Sequence, residues 1–542
     1  MNTIVNILVN LPFSLQREVL CCWLNYTDVA VLDSAVCCRI NRPLFLDLLS
    51  NKELMLDYVR FVGCEKLSSW MKWVYNRKVC FNTCIISSTI SPEHYMQFFA
   101  AIGWNLHTLV VFTNDKLYRQ SVYASLLATA ACYCTSLREV HITQCASICS
   151  LENILRSSQN TIKKLTLDEC NLRELQVRNI SLDSLQHLII QNCTDVTASV
   201  MTALLQAAPR IEILVCRYVD EIPVQAVISQ NVRIMQIAYC TVLTDAILST
   251  LIHKCSLLEQ VQLWHCTDLT DTSVIELVQS AKHLHSLSLG RINNFTDAAL
   301  EAVAKHCGER MRHLFLCHCS NITNAGLVHI SRACTCLEGF ALEEMRHIGV
   351  NAATAVLRVN PLLQEVALCT LREEEGDVLL TILSTCCLHL QYLKMYTLKG
   401  YSEQGMFTLI RSCLQLRRVL VHRHCTVVSP LSRLLWKELR PSVAIEGTAR
   451  RPPVWINHTA VHVPGTTMEM EEGVEAELLE EGVEAELLEE EVEGVLEEEV
   501  EGVLEGIAAA AEGEVEVVEE EVEEVGLEAE LGIDGSTTPM HL

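Results

Sequence analysis

The chain has 542 residues, more than one compact core usually holds. It carries 41 Lys plus Arg against 67 Asp plus Glu, a formal net charge of −26. From Met468 onward there are 29 acidic residues and no Lys or Arg, so the rest holds 38 acidic against 41 basic residues, or +3. A near-neutral body lacks the broad basic face of a nucleic-acid binder, and no nucleic-acid partner is expected.

All 27 Cys lie between Cys21 and Cys425, and the count is odd. Met1 to Gln16 has one cation-free run broken by Pro12 and therefore no basic n-region of a secretory signal. Reduced, buried thiols in a cytoplasmic or nuclear protein are the expectation. A long uncharged stretch of the body, Gln120 to Leu137, carries Ser, Thr, Gln and Tyr. It reads as part of a repeat, and no membrane span is expected.

In chain order, residues 1–50 carry apolar positions at Leu11, Leu15, Val19, Leu20, Leu24, Val29, Leu32 and Val36, with Pro12 after Leu11. This pattern predicts a small helical module. Residues 51–105 are rich in aromatics (Trp70, Trp73, Tyr75, Phe98, Phe99, Trp104) and are expected to cap the open end of a repeat array.

Residues 106–440 repeat one frame, L-x-x-L-x-L. Twelve copies start at Leu137, Ile162, Leu185, Ile211, Val232, Leu258, Leu284, Met311, Leu337, Leu363, Leu390 and Leu416, and a weaker one starts at Leu106. Eight of the eleven steps between the twelve are 26 or 27 residues. Alternation within the frame predicts a short strand with one face buried. A Thr-Asp or Thr-Asn pair then predicts a helix start, as at Thr244-Asp245, Thr270-Asp271, Thr296-Asp297 and Thr323-Asn324. One strand and one helix per copy make a solenoid with a parallel sheet on its inner side.

These copies resemble the cysteine-containing leucine-rich repeats. Met311 to Cys336 carries Cys319, Ile322, Thr323, Asn324, Gly326, Leu327 and Cys334 in the family's register. Cys145, Cys170, Cys193, Cys240 and Cys266 fill the same loop position as Cys319, while Ile292, Met345, Leu371 and Leu398 replace it elsewhere. The N-terminal pattern resembles an F-box, with Ser14 where that family often has Glu. The two resemblances imply an α/β leucine-rich-repeat horseshoe with a small helical F-box-like module. They also imply a substrate-recognition subunit of an SCF-type cullin-RING ubiquitin ligase. Leu11, Pro12, Leu15, Val19, Leu24 and Val36 would then contact the ligase adaptor, and the concave face would hold a protein substrate. The alternative is a non-catalytic repeat scaffold without ubiquitin chemistry.

Strand positions between the buried ones face the concave side. Trp264, His313, Phe315, Tyr392, Lys394, Tyr396, Arg418 and His422 are the candidate partner-binding residues, since Trp, Tyr and Arg favour interface anchors. Cys317-His318-Cys319 with Cys334 and Cys336 lacks the spacing of a zinc knuckle, so no metal or other cofactor is expected. No nucleophile set or G-x-x-x-x-G-K phosphate loop occurs, and the chain reads as no enzyme.

Residues 441–467, with Pro441, Pro452, Pro453 and Pro464, read as a linker. Residues 468–542 form an acidic low-complexity tail in which a nine-residue unit from Glu471 recurs at Glu480. Repelling carboxylates without cations predict disorder. Basic proteins are its candidate partners, and Lys394 and Arg418 are a second candidate target within the chain.

Overall fold

In the computed structural model, most of residues 8–422 and the strand at 444–448 are described. The chain divides into two units, Met1–Pro452 and Pro453–Leu542. The expectations for the acidic tail and most of the linker lie outside the described residues.

The first unit is built on one parallel sheet of sixteen described strands, each paired with its sequence neighbours. They are β1 (Met55–Phe61), β2 (Cys80–Ser87), β3 (Thr108–Phe112), β4 (Glu139–Thr143), β5 (Lys164–Asp168), β6 (His187–Gln191), β7 (Ile213–Arg217) and β8 (Ile234–Ala238). Then come β9 (Gln260–Trp264), β10 (Ser286–Gly290), β11 (His313–Cys317), β12 (Gly339–Glu343), β13 (Glu365–Cys369), β14 (Tyr392–Met395), β15 (Arg418–His422) and β16 (Ala444–Thr448). Helices separate most of them, among them Asp245–Lys254, Asp271–Ser280, Asp297–His306 and Asn324–Ala333. This is a leucine-rich-repeat solenoid, with strands on one side and helices on the other.

The frame explains the core. Val261 and Leu263, Leu287 and Leu289, and Leu314 and Leu316 alternate along their strands and join one hydrophobic cluster with helix residues such as Leu277, Val278, Leu300 and Val303. A fully buried Leu or Val contributes about 1.5–3 kcal/mol relative to exposure, so each copy depends on its neighbours to complete this burial.

The expected cap at 51–105 is instead continuous with the solenoid. β1 and β2 are in parallel register there (Met55↔Cys80), and β2 continues into β3 (Thr83↔Thr108). The helices Leu67–Arg77 and Pro92–Ile102 lie between these strands. The leucine frame misses these copies because Phe81, Cys84 and Ile86 replace Leu in β2, while Tyr95, Phe98 and Phe99 fill the core from the helix. At the other end β16 pairs with β15 (Arg418↔Ala444), so the sheet also extends beyond residue 440.

Two hydrogen-bonded ladders run between neighbouring copies over parts of the solenoid. Thr270, Thr296 and Thr323 cap their helices as the pattern predicts, accepting from the backbone N–H of Thr272, Ala298 and Ala325, whereas Thr244 precedes its helix without a side-chain cap bond. The acid after each cap reaches forward as well. Asp271 accepts from Thr296 N–H (2.8 Å) and its hydroxyl (2.6 Å), and Asp297 accepts the same pair from Thr323. Asp245 accepts likewise from Thr270, and Asp377 from Ser402.

The second ladder runs along the strand ends. Gln144, Glu169, Asn192, Tyr218, Tyr239, His265, Arg291, His318 and Glu344 each come directly after one of β4 to β12, with φ between 48° and 56°. Left-handed backbone costs a residue with a Cβ about 1–2 kcal/mol. It turns each N–H onto the last carbonyl of the next strand, as from Tyr239 to Trp264 (2.8 Å) and from His265 to Gly290 (2.8 Å). The following Cys then points inward. Cys266 Sγ–H donates to Ile237 O at 3.8 Å, and Cys319 to Leu289 O at 3.7 Å.

Candidate functional site: the strand face and the N-terminal module

The solenoid presents three rows of side chains on the face opposite its helices. The central row runs, strand by strand from β4, through His141, Thr166, Ile189, Val215, Gln236, Gln262, Ser288, Phe315, Ala341, Ala367, Lys394 and Leu420. All of these are buried, yet Phe315, Ile189 and Val215 stand outside the helix-side cluster. Strands about 4.8 Å apart let adjacent side chains lean over one another.

This corrects the expectation of exposed anchors. Trp264 is 8% exposed, Phe315 4% and Lys394 3%. The Trp264 ring lies over Gly290 of the next strand, where a Cβ would sit 2.4 Å from it, and its indole N–H donates to Ser288 Oγ at 3.3 Å. His313 and Phe315 together cover Gly339, whose Cβ would lie 2.6 Å from the His313 ring. Each glycine is thus a seat for an aromatic group from the preceding repeat or repeats. Lys394 reaches back across β13 to Glu343, with Nζ 2.8 Å from Oε1.

His313, Tyr392 and Arg418 share the row at the strand starts and are half-buried. His422 ends β15, with its side chain outside the described residues, and Tyr396 lies outside them entirely. The structure therefore places Trp264, His313 and Phe315 in one neighbourhood and Lys394 in another.

Sequence reasoning missed Glu343 and the two glycines. The signal was present, because glycine inside a strand frame marks close approach. It also missed Glu365, whose carboxyl is pushed up to about 7 by burial. On the strand-end row, Tyr218 and Tyr239 stack with ring centres 4.2 Å apart and planes 7° apart, and His265 continues the stack at 5.1 Å.

The N-terminal module contributes a second surface. Pro12 precedes the helix Phe13–Glu18, and its carbonyl accepts from the N–H of Leu15 and Gln16. Pro12 is exposed, Leu15 is 45% exposed, and Leu11 and Val19 are half-buried against the core. Leu24 and Val36 lie outside the described residues. Asp33 ties this module to the solenoid: it is buried and accepts from Trp73 Nε1 (2.8 Å) and Arg77 Nε (3.0 Å), with Arg42 also paired to it.

Cys319 Sγ–H reaches the carbonyls of Cys317 and Leu289, and Cys334 lies in the core. Among the described residues, no group of three or more His, Cys, Asp or Glu side chains is arranged to hold a metal ion. No described helix is long and apolar enough to cross a membrane.

No family model matches the chain, and no curated protein matches it. Solved structures similar to it include the complex of Rad7 and Elc1 from yeast, at 13% identity and a TM-score of 0.43, covering 78% of this chain and 98% of that one. An internalin (inlF) of Listeria monocytogenes is similar at 11% identity and a TM-score of 0.33, covering 71% of this chain and 89% of that one. The leucine-rich-repeat-containing protein LegL7 of Legionella pneumophila is similar at 11% identity and a TM-score of 0.27, covering 71% of this chain and 99% of that one.

Proposed function

We propose that the chain is a non-catalytic substrate-recognition subunit of an SCF-type ubiquitin ligase. The N-terminal module holds the ligase adaptor, and the strand face holds a protein substrate. The chain makes and breaks no bonds itself. It raises the rate by bringing two partners together.

The observation that supports this reading is the placement of Pro12 and Leu15. Both are exposed on a helix start, while the module behind them is anchored through Asp33 to the helix Leu67–Arg77. An exposed apolar pair on an anchored support is suited to a partner, because little ordering remains to be done on binding. Leu11 and Val19 pack inward and support that surface.

Co-purification of the full chain with the ligase adaptor tests the reading. Pro12→Ala with Leu15→Ala should abolish the complex and leave the fold intact, since neither side chain is in the core. An adaptor complex indifferent to this pair, or none from the folded chain, would leave the second reading of a repeat scaffold. Burial and pairing along the strand face are compatible with either.

A further inference from the structure

We infer that the strand face over β4 to β9 is a docking site for an extended, uncharged peptide segment of a partner protein. This deepens the reading of that face as the substrate surface and rests on it.

The site begins with polar atoms that have no partner. His141, Thr166 and Gln236 are each more than nine-tenths buried and occupy the central row. Their strand neighbours Val140 and Ile142, Leu165 and Leu167, and Met235 and Ile237 face the helix-side core, so these three face away from it. Both ring nitrogens of His141, the Thr166 hydroxyl and Gln236 Nε2 lack hydrogen-bond partners, as does the buried Oε1 of Gln260 one strand further on. Arg217 donates to Gln236 Oε1 at 3.2 Å and thereby fixes that amide with its NH2 group as the free donor. Buried polar groups are nearly always paired, so an unpaired set on one face points to a ligand that pairs them.

Between the two polar ends lies an apolar floor. Ile189 of β6 and Val215 of β7 occupy the same row and separate His141 and Thr166 from Gln236. From β4 to β8 the row spans about 19 Å, four steps of about 4.8 Å. An extended peptide at about 3.3 Å per residue covers that distance with about six residues. Its amides meet the polar ends, and an apolar side chain near its middle rests on the floor.

The charges decide the class of ligand. The unpaired groups are themselves uncharged: burial, with Lys164 nearby, lowers His141 to about 4 and keeps it neutral at pH 7. Burial lowers both flanking cations, Lys164 and Arg217, and Glu139 and Asp168 oppose this only in part. The groups left to pair are a hydroxyl, an amide NH2 and a neutral imidazole, which peptide amides satisfy without carrying a charge out of water.

The test uses the full chain and fluorescein-labelled hexapeptide mixtures, capped at both ends, with Leu or Ile at the third position. One mixture holds only uncharged residues elsewhere, a second includes Asp and Glu, and a third includes phosphoserine. Fluorescence anisotropy should detect binding of the uncharged mixture. His141→Phe or Gln236→Leu, which replace the polar atoms by an apolar side chain of related shape, should each weaken it about tenfold or more. Arg233→Ala, at a strand-start edge outside the row, should leave it unchanged. No binding by any mixture, binding indifferent to both row variants, or preference for the acidic or phosphorylated mixture overturns the inference. Adaptor co-purification on the same samples separates the two claims. A lost adaptor complex with peptide binding intact removes the ligase reading and leaves the docking site. The reverse removes the site alone.

Discussion

Glu343 and Lys394 form an ion pair across an intervening strand, 2.8 Å apart with both side chains nearly buried. Ala367 of β13 stands opposite Lys394 in the register, and Ala341 stands beside it on β12. Two small residues in succession thus stand beside the lysine along the row.

Removing one partner strands the other charge away from water. Lys394→Met is expected to destabilise the chain by about 3–5 kcal/mol, whereas Lys394→Met with Glu343→Leu should recover most of that loss. Urea unfolding of the two variants beside the parent measures the difference. Equal losses would show that the pair is solvated.

The acid that follows each helix cap should carry measurable inter-repeat stability. Asp271→Ala leaves the Thr296 N–H and hydroxyl without their shared acceptor, and a loss of about 2 kcal/mol is expected. Asp268→Ala, on an exposed residue outside this ladder, serves as the control and should cost less than about 0.5 kcal/mol.

Gly290 is a seat for Trp264, so a single methyl there should displace the ring. Gly290→Ala is expected to cost about 1–3 kcal/mol through overpacking. With Trp264→Leu already in place the same methyl should cost much less. A double-mutant cycle by chemical denaturation reads the coupling, and additive losses would sink the assignment.

Thiol chemistry should divide the cysteines by burial. Burial pushes Cys266 up to about 12 and Cys319 to about 11, so both stay protonated as well as inaccessible near pH 8. Cys132 and Cys149 are exposed. Brief native alkylation followed by peptide mass spectrometry should mark Cys132 and Cys149 within minutes and Cys266 and Cys319 only after unfolding.

His141 should make the fold acid-sensitive. Its folded pKa of about 4 lies below the unfolded value of about 6.5, so the unfolded chain takes up the proton first. Stability is full above about pH 6.5 and falls by up to about 3 kcal/mol as the pH drops towards 4. His141→Phe should flatten the stability profile over that window. A profile unchanged by the substitution would place the titration elsewhere.

Much of the solenoid was legible because its period is dictated by burial. Val261, Leu263, Leu287 and Leu289 recur where the strand must face the helices, and Thr-Asp pairs recur where helices must start. The copies at β1 and β2 escaped because their buried positions are filled by Phe81, Cys84 and Ile86, which satisfy the packing without the leucine spelling. The strand face was less legible for a different reason. Alternation predicts which way Trp264, Phe315 and Lys394 point, but their seats and partners, Gly290, Gly339 and Glu343, lie in other repeats. Those distances through space have no counterpart in the local pattern. In the N-terminal module Pro12 and Leu15 are exposed, while Leu11 and Val19 serve the interior.

The left-handed residues that close β4 to β12 take their places through backbone bonds, and the side chains there are Gln, Glu, Asn, Tyr, Tyr, His, Arg, His and Glu. Several of these side chains also touch the next repeat: Gln144 donates to Glu169, Tyr218 stacks on Tyr239, and His318 faces Glu344. Nine sites thus stand at a fixed pitch along the solenoid, and what they carry is matched between neighbours. Such a row behaves as a rack of linked pegs: the frame fixes where each one stands, while the pegs beside it limit what it can offer to the outside.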